Sequence, residues 1–303
     1  MGAFGVLKSL ACGAVLSLVL ATGATAQGRC ADVVPGVKPQ NAGRDVVGRD
    51  LDEIIERGFI DVAVYEDYPP YSFMEDGAPA GIDIDIGTLI AEALGVAPRF
   101  DLVAAAENLE GDLRNHVWKG ALIGGKVANV MLRIPYDSTF ACRVEQVVFT
   151  GQYATESIAI AYSRQAYPDA LPVPAYFRFD TVAVENDSIA DFYLSQLAGG
   201  QLIANISRYP STQGAMQALA EGQVMAAMGP RGQLEFGLTP ALGVHEPPLP
   251  GFAVGKWTLG VAVHHAYRAL GYAIDDAILA ALEDGRIEAI YARYGLSFRP
   301  PLR

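Results

Sequence analysis

Apolar and polar residues along this chain follow two periods that succeed one another from residue 61 onward. Short runs such as 62–64 have the apolar character of β-strands, and longer runs such as 86–94 place apolar residues at helical spacing. The first strand ends at Pro69-Pro70, so Tyr68 and Tyr71 project from its tip. Strands that alternate with helices are typical of proteins with mainly parallel sheets. The pattern therefore predicts an α/β fold.

The other elements are predicted from the same periods and from turn residues. Asp85 is expected to cap the helix 86–94, which Gly95 ends, and Asp284-Gly285 separates two C-terminal helices. Residues 163–178 are rich in proline and aromatic residues and are predicted to form a loop. The further predicted strands are 128–132, 146–150, 157–162, 181–184, 202–205, 224–228 and 257–263, and the further predicted helices are 189–197 and 212–220.

The N-terminus has the pattern of a secretory signal peptide. Lys8 is followed by the apolar stretch 10–20 and then by Ala24-Thr25-Ala26, a small-residue cleavage site. We expect residues 1–26 to be removed, which gives an exported chain that begins near Gln27. No later apolar run reaches the roughly 20 residues needed to cross a bilayer, so we expect the mature chain to be soluble.

Length and charge exclude one broad class of partner. The chain has 303 residues, enough for about two domains after export. Its formal net charge is −12 at pH 7. Nucleic-acid binding requires a basic surface that displaces counterions, so this balance argues against a nucleic-acid partner.

Two cysteines remain after the expected cleavage, Cys30 and Cys142. Disulfides persist in exported proteins, and two cysteines allow only one pairing. Such a bridge would stabilise the fold by about 4–5 kcal/mol, because it closes a long loop in the unfolded chain. The alternative is a free Cys142 thiol whose pKa is lowered by the neighbouring Arg143. We predict the disulfide.

Three segments resemble the family 3 periplasmic solute-binding proteins, the capture components of polar amino-acid ABC importers. They are the tyrosine-rich run 62–73, the run Gly81-Ile-Asp-Ile-Asp-Ile-Gly87, and the run 143–153, in which an arginine precedes Val-Val-Phe-Thr and then Gln-Tyr. The resemblance implies a type II periplasmic binding protein fold with a ligand cleft between two lobes. Lobe 1 would be 50–158 plus 257–303, and lobe 2 would be 162–253, after an N-terminal extension at 27–49. The hinges would lie near 159–161 and 253–257, and closure around a ligand is the expected motion.

The resemblance also implies which residues bind the ligand. In relatives the arginine that matches Arg143 takes the ligand carboxylate, and a planar guanidinium suits that task. Tyr68 and Tyr71 would form a wall of the cleft. In lobe 2, Ser188 and backbone amides at a helix start would face an anion. Asp187 could instead meet a cation or help to cap that helix, as could Glu185.

Two departures from the family alter the expected ligand. The stretch between Met131 and Arg143 is longer than in relatives and carries a second arginine, Arg133. Where amino-acid binders place an aspartate for the ligand ammonium, this chain has Pro230 and Arg231. These changes predict a cleft biased toward anions, with Arg133, Arg143 and Arg231 as its cations.

Other chemistry has little support in the sequence. The run Gly120–Lys126 fits G-x-x-x-x-G-K, but Val127 stands where a phosphate-binding loop needs Ser or Thr for magnesium. No group of histidines has metal-ligand spacing, and no G-x-S-x-G motif occurs. We therefore expect no metal, no cofactor and no enzymatic activity.

Three functions remain open at this stage. The first is a periplasmic solute receptor, a monomer that delivers a small anionic or zwitterionic ligand to a membrane ABC permease. The second is a periplasmic protein partner of a quinoprotein alcohol dehydrogenase, because the altered cleft resembles that subgroup. The third is a dehydratase of cyclohexadienyl acids on the same scaffold, with Glu185 or Glu235 as the proton donor.

Overall fold

The computed structural model describes residue 30, residues 47–121, residue 123, and residues 125–252 and 254–302. The strands in these ranges are β1 (Phe59–Tyr65), β2 (Phe73–Glu75), β3 (Ala78–Ala80), β4 (Ala97–Val103), β5 (Val130–Tyr136), β6 (Val147–Ser163), β7 (Val182–Glu185), β8 (Ile206–Tyr209), β9 (Ala226–Pro230), β10 (Leu242–His245) and β11 (Lys256–His264). The α-helices are α1 (Leu51–Arg57), α2 (Ile82–Ala93), α3 (Leu109–Leu113), α4 (Ser138–Arg143), α5 (Ile189–Gln196), α6 (Thr212–Ala220), α7 (Arg231–Phe236), α8 (Arg268–Glu283) and α9 (Arg286–Arg293). The predicted signal peptide, 1–26, lies outside the described residues, as does most of the predicted extension 27–49.

The long strand β6 joins two halves of one sheet. The strand order is β4-β1-β5-β11-β6-β9-β7-β8, and β10 also pairs with β6. Strand β1 is parallel to β4 and β5, whereas β11 is antiparallel to β5 and β6. In the second half, β7 is parallel to β8 and β9. The α/β fold expected from the alternating pattern is confirmed.

Each half buries apolar residues on both faces of its strands. In the first half, Ile60 and Val62 pack with residues of α2, α8 and α9, and Met131 packs on the opposite face with Leu113 of α3. In the second half, Val184 packs with α5, while the small side chains of α6 pack with those of β9. Strands covered on both faces have nearly continuous apolar sequences, which is why the pattern predicted them well.

Several predicted elements differ from the structure. Helix α2 begins at Ile82 rather than at residue 86, because Gly81 is its N-cap and Asp85 lies inside the first turn. The apolar run 202–205 is mainly a 3₁₀ turn, and the strand that follows it is Ile206–Tyr209. The two strands predicted at 146–150 and 157–162 are one strand of 17 residues, β6. The predicted helix 212–220 is confirmed as α6, and Ser211 caps it by accepting a hydrogen bond from the Gly214 amide.

Strand β6 changes its pairing partner between Ser157 and Ile158. Ser157 pairs with Lys256 of β11, whereas Ile158 pairs with Pro230 of β9. Residues 159–161 already lie within the second half of the sheet. The lobe bounds and hinges given from the sequence stay a prediction, and this change of partner suggests a crossing slightly before residue 159.

The predicted disulfide is confirmed. Cys30 and Cys142 are bonded with their Cα atoms 5.4 Å apart, and 112 positions separate them in the sequence. Cys142 lies in α4, so the bridge joins the start of the expected mature chain to the first half of the sheet. Among the described helices, none combines the length and the apolar character needed to cross a membrane.

Candidate functional site

The two tyrosines at the tip of β1 lie in a tight turn that is fixed to helix α2. The backbone amide of Tyr68 donates to the Ser72 carbonyl at 2.8 Å, and the Ser72 hydroxyl donates to the Tyr65 carbonyl at 2.6 Å. The Asp83 amide of α2 donates to the Tyr71 carbonyl at 2.8 Å. Gly81 has a φ of 125°, and a Cβ there would overlap the Tyr71 carbonyl, so glycine is required for this close approach. The Tyr71 side chain is therefore held beside the first turn of α2.

A buried ion pair joins Arg133 of β5 to Asp83 of α2. The Nε and Nη2 atoms of Arg133 lie 2.7 Å and 3.1 Å from the two carboxylate oxygens of Asp83. The same guanidinium lies over the Tyr71 ring, 3.2 Å from its centroid. The side chains of Arg133 and Asp83 are only 6% and 1% exposed. A two-pronged pair of this kind fixes the position of both groups.

A β-bulge turns Arg133 toward this pair. Its φ is 61°, in the left-handed region, and the register between β5 and β11 shifts at this point. A second register shift occurs where β6 passes Gly151, whose φ is 52°. Bulges re-aim side chains next to functional sites. Beyond the second shift, the Tyr153 hydroxyl lies 3.4 Å from Asp83 Oδ1.

Burial sets the titration of this cluster. Burial is the main cause that raises the pKa of Asp83, and the charge of Arg133 opposes the rise. Burial acts to lower the pKa of Arg133, but the Asp83 carboxylate raises it well above its usual value. Burial also raises the pKa of Tyr68 to about 12. At neutral pH the site therefore holds a charged guanidinium and neutral phenols.

The second half of the sheet meets this cluster through Glu156 and Gly232. The Tyr71 hydroxyl donates to Glu156 Oε2 at 2.6 Å, and Glu156 lies on β6 directly before the change of partner. A Cβ placed on Gly232, at the start of α7, would overlap the Tyr71 hydroxyl. Tyr71 therefore contacts both halves of the molecule.

Three cationic side chains surround Glu246 where the two halves of the sheet meet. Its carboxylate accepts a hydrogen bond from the Ser157 hydroxyl at 2.8 Å and pairs with Arg299 at 2.9 Å and Arg231 at 3.2 Å, while Lys256 lies 3.7 Å away. Burial acts to raise the pKa of Glu246, but the hydroxyl and the three cations outweigh it and lower the pKa. Glu246 is therefore ionised at neutral pH.

A small cavity lies at the rim of this contact. Its volume is about 220 Å³, and its lining includes Pro69 from the first half and Met216, Gln217, Gln233 and Phe236 from α6 and α7. Gln233 is 8% exposed, and in the described part of the chain its Oε1 atom is a buried acceptor without a hydrogen-bond partner. A buried polar atom of this kind calls for an explanation, and a missing ligand donor is one.

The structure brings together some of the predicted ligand residues. Tyr68, Tyr71 and Arg133 form one cluster, and Arg231 begins the helix whose second residue, Gly232, meets Tyr71. Arg143 is placed elsewhere, exposed at the last residue of α4, with its guanidinium 5.7 Å from the Phe140 ring centroid. The ligand role that the resemblance gave to Arg143 stays a prediction.

Helix α5 uses the two predicted residues of lobe 2 for its own start. The Ser188 hydroxyl caps the helix by accepting a hydrogen bond from the Asp191 amide at 3.2 Å. Asp187 is exposed with a φ of 57°, and its amide donates to Asp191 Oδ2. Glu185 accepts from the amide and the hydroxyl of Thr212 at the start of α6. Ser188 rather than Asp187 is therefore the cap of α5, Glu185 bonds the start of α6, and the ligand roles given to Asp187 and Ser188 stay predictions.

The arginines do not leave an excess of positive charge at the contact between the halves. Arg133 is paired with Asp83, and Arg231 is paired with Glu235 at 2.6 Å and with Glu246. The contact therefore holds charges of both signs, and the expected bias toward anions stays a prediction. No local sequence pattern indicates these ion pairs, because Asp83 lies 50 residues from Arg133 and Glu246 lies 15 residues from Arg231.

The acidic residues of the site were missed for different reasons. Asp83 lies before the predicted start of the helix at residue 86, so no local pattern indicates that it is buried beside Arg133. Glu156 had a readable signal, because it is the one acid in β6, residues 147–163, which are otherwise apolar or neutral. Gly232 could be recognised only once the position of Tyr71 was known.

Comparisons with known proteins point to one family. The sequence model of bacterial extracellular solute-binding proteins, family 3, matches residues 60–118, which contain Tyr68, Tyr71 and Asp83. Residues 60–118 are thus similar to this family, and the match spans about a fifth of the chain. The resemblance to family 3 stated from the sequence is thereby confirmed. A comparison with curated protein sequences finds no match.

Solved structures of amino acid solute-binding proteins share the fold at low sequence identity. An ancestral cationic amino acid solute-binding protein is 19% identical with a TM-score of 0.66, over 81% of this chain and 99% of that chain. An L-arginine-bound amino acid ABC transporter substrate-binding protein from Streptococcus pneumoniae is 17% identical with a TM-score of 0.58, over 83% and 100%. A solute receptor for L-cysteine from Neisseria gonorrhoeae is 19% identical with a TM-score of 0.57, over 81% and 93%. The predicted two-lobe type II fold is confirmed.

Replacing Gly232 with alanine is expected to lower the free energy of unfolding by about 1–3 kcal/mol, because the new methyl group would overlap the Tyr71 hydroxyl. Urea denaturation measures the change. Gly271→Ala is the matched control, since a Cβ in that interior turn of α8 would meet only Val148 at 4.0 Å. Tyr71→Phe combined with Gly232→Ala should recover part of the loss. Equal stability of Gly232→Ala and wild type would contradict this contact.

Proposed function

We propose that the protein is a periplasmic solute-binding protein that captures a small polar solute between its two lobes for a membrane ABC permease. The match to family 3 and the two-lobe fold support a binding role. The structural neighbours include proteins described as binding L-arginine and L-cysteine. The confirmed disulfide fits an exported protein.

One observation carries this proposal: Gln233, whose buried Oε1 atom has no hydrogen-bond partner among the described residues, belongs to the lining of the cavity between Pro69 and α7. A buried acceptor without a donor lowers stability by about 1–3 kcal/mol, and a ligand N–H group would remove that penalty. Glu156 and the pair Arg133–Asp83 lie behind Tyr71, which adjoins Gly232 next to Gln233. The site thus offers an acceptor at its rim and both signs of charge behind it.

This balance favours a zwitterion over a simple anion. A ligand ammonium would donate to Gln233, and a ligand carboxylate would compete with Asp83 or Glu246 for a guanidinium. We therefore propose an amino-acid-like ligand and keep organic acids as the alternative. The dehydratase is less well supported, because both oxygens of Glu235 are acceptors, from Arg231 and from the Ser297 amide, and Glu185 accepts from Thr212.

A thermal-shift screen against amino acids, polyamines, dicarboxylates, keto acids and sugar acids tests the proposal. An amino acid should raise the melting temperature, because at a hundredfold excess over its dissociation constant a ligand adds about 2.7 kcal/mol of stability. Gln233→Leu should remove that shift while raising the stability of the ligand-free protein by about 1 kcal/mol, since the unpaired acceptor is gone.

Two further variants show whether the ligand binds beside Gln233 or at Arg143. Arg143→Ala should keep the shift if the ligand binds beside Gln233, and should lose it if the role implied by the family resemblance is correct. Arg286→Met, an exposed change in α9, is the neutral control. A flat screen across all five ligand classes would contradict solute capture.

A further inference from the structure

A second cavity lies in the first half of the molecule, apart from the contact between the lobes. Its volume is about 370 Å³, and it adjoins another of about 330 Å³ with which it shares Asp101 and Lys126. Sites for small molecules typically span about 300–1,000 Å³, so this cavity is large enough for a compact ligand. None of the residues that form the ion pairs between the lobes belongs to its lining.

The cavity is basic in an acidic protein. Its charged lining consists of Arg49, Arg99, Lys119, Lys126, Asp61 and Asp101. The whole chain has a net charge of −12 and only five lysines, two of which line this one cavity. Positive charge concentrated in a cleft attracts anions even when the protein as a whole repels them.

Internal contacts divide these charges unevenly. Arg49 pairs with Asp61 at 2.8 Å and also reaches the Asn129 side chain at 3.3 Å, so its charge is matched inside the protein. The Arg99 guanidinium lies 3.4 Å from the centroid of the Phe59 ring, which holds it at the cavity wall. One carboxylate of the cavity lining, Asp101, therefore remains to balance the charges of Arg99, Lys119 and Lys126.

The backbone of a glycine loop brings the two lysines to the same wall. Lys119 precedes Gly120, and Lys126 follows Gly125. A Cβ on Gly120 would lie 2.8 Å from the Gly125 carbonyl oxygen, and a Cβ on Gly125 would overlap the backbone of Ala121. Only glycine permits so close an approach of the backbone. Residues 119 and 126 therefore lie on either side of the point where the backbone of this loop comes together. The G-x-x-x-x-G-K run thus has a structural purpose other than binding ATP.

We propose that this cavity is a second binding site, for a small multivalent oxyanion with phosphate or carboxylate groups. Arg99, Lys119 and Lys126 provide its charge, and Asp101 limits its affinity by repelling the anion. Burial raises the pKa of Asp101, with Asp61 adding to the rise and Lys126 opposing it, which fits a carboxylate on the wall of a partly enclosed cavity.

Calorimetric titration of the full chain with pyrophosphate and with citrate, at low ionic strength, tests the site. Both should bind, acetate should not, and added salt should weaken the binding because the attraction is screened. The double variant Lys119→Met/Lys126→Met should bind at least roughly tenfold more weakly, since it removes two charges from one cavity. Asp101→Asn should bind several-fold more tightly.

Three controls make the result specific. Arg286→Met removes a positive charge on α9 without touching the cavity and should leave the affinity unchanged. Asp276→Asn, an exposed change in α8, should not reproduce the gain of Asp101→Asn. Gln233→Leu should keep the anion binding, which separates this site from the cavity between the lobes. Absence of binding in wild type, or equal affinity in the double lysine variant, would overturn the proposal.

Discussion

Replacing Arg133 with methionine is expected to lower the free energy of unfolding by about 3–5 kcal/mol, because it leaves the Asp83 carboxylate buried without its partner. Methionine keeps much of the length of the arginine stem, so the change removes charge more than volume. The loss should shrink as the pH falls from about 7 toward about 4. Burial raises the pKa of Asp83, and without Arg133 only the weaker effect of the Tyr153 hydroxyl opposes that rise. A carboxyl with a raised pKa in the folded state takes up its proton before it does so in the unfolded state, so lower pH favours folding of the variant relative to wild type.

Urea denaturation of a double-mutant cycle measures this effect. Asp83→Asn alone leaves a buried guanidinium, whereas Arg133→Met/Asp83→Asn removes both charges and should be more stable than Arg133→Met. That double variant also keeps the test available if the single variant does not fold. Arg57→Met is the matched control, because its pair with Glu53 is an exposed i,i+4 contact worth only a few tenths of a kcal/mol. A loss below about 1 kcal/mol at neutral pH, or one independent of pH, would show that the buried pair is not what holds this region.

The sequence predicted those features of the fold that depend on neighbouring residues. Helix α6 has its cap, Ser211, and its apolar face within ten residues, so its bounds were correct. The apolar strands of the buried sheet were recognised for the same reason. The strand predicted at 202–205 was wrong because a long-range contact determines the structure there. The Asn205 side-chain amide donates to the carbonyls of Phe177 and Arg178, which suits a turn and not a strand.

The candidate site was less predictable because its residues meet across the fold. The tyrosines and Arg133 were named from the sequence, but their partners Asp83 and Glu156 were not. Whether an arginine is available to a ligand depends on which carboxylate lies beside it, and bulges in β5 and β6 decide this for Arg133. Alternating patterns do not reveal a bulge of one residue, since the flanking strands remain apolar.

Several charged side chains meet at the contact between the two halves, where they are partly buried. Glu246 accepts from residues of β6, α7 and the C-terminal segment, while the Thr155 amide and hydroxyl donate to the carbonyls of Arg299 and Pro300. The end of the chain is thus bonded to β6 close to the point where β6 changes partner. These ion pairs and hydrogen bonds join the two halves of the sheet close to that point.

Removal of the disulfide by Cys30→Ser/Cys142→Ser is expected to lower the free energy of unfolding by about 4–5 kcal/mol. The bridge closes a loop of more than a hundred residues, and opening it restores the entropy of that loop to the unfolded chain. The loss should appear as a lower urea midpoint for the double variant than for oxidised wild type. Wild type in reducing buffer should unfold at the midpoint of the variant, because both lack the same constraint.

Two measurements decide whether the loss comes from the bridge. A free-thiol assay on the unfolded, unreduced mature protein should find no reactive cysteine; two reactive groups would show that the bridge does not form. Phe140→Leu is the comparison for packing, because Phe140 lies beside Cys142 in α4 and packs against the first half of the sheet without taking part in the bond. Its effect should be the same in oxidising and reducing buffer. If the double serine variant also kept its full stability in both buffers, the long loop would have to be restrained by other contacts in the unfolded chain.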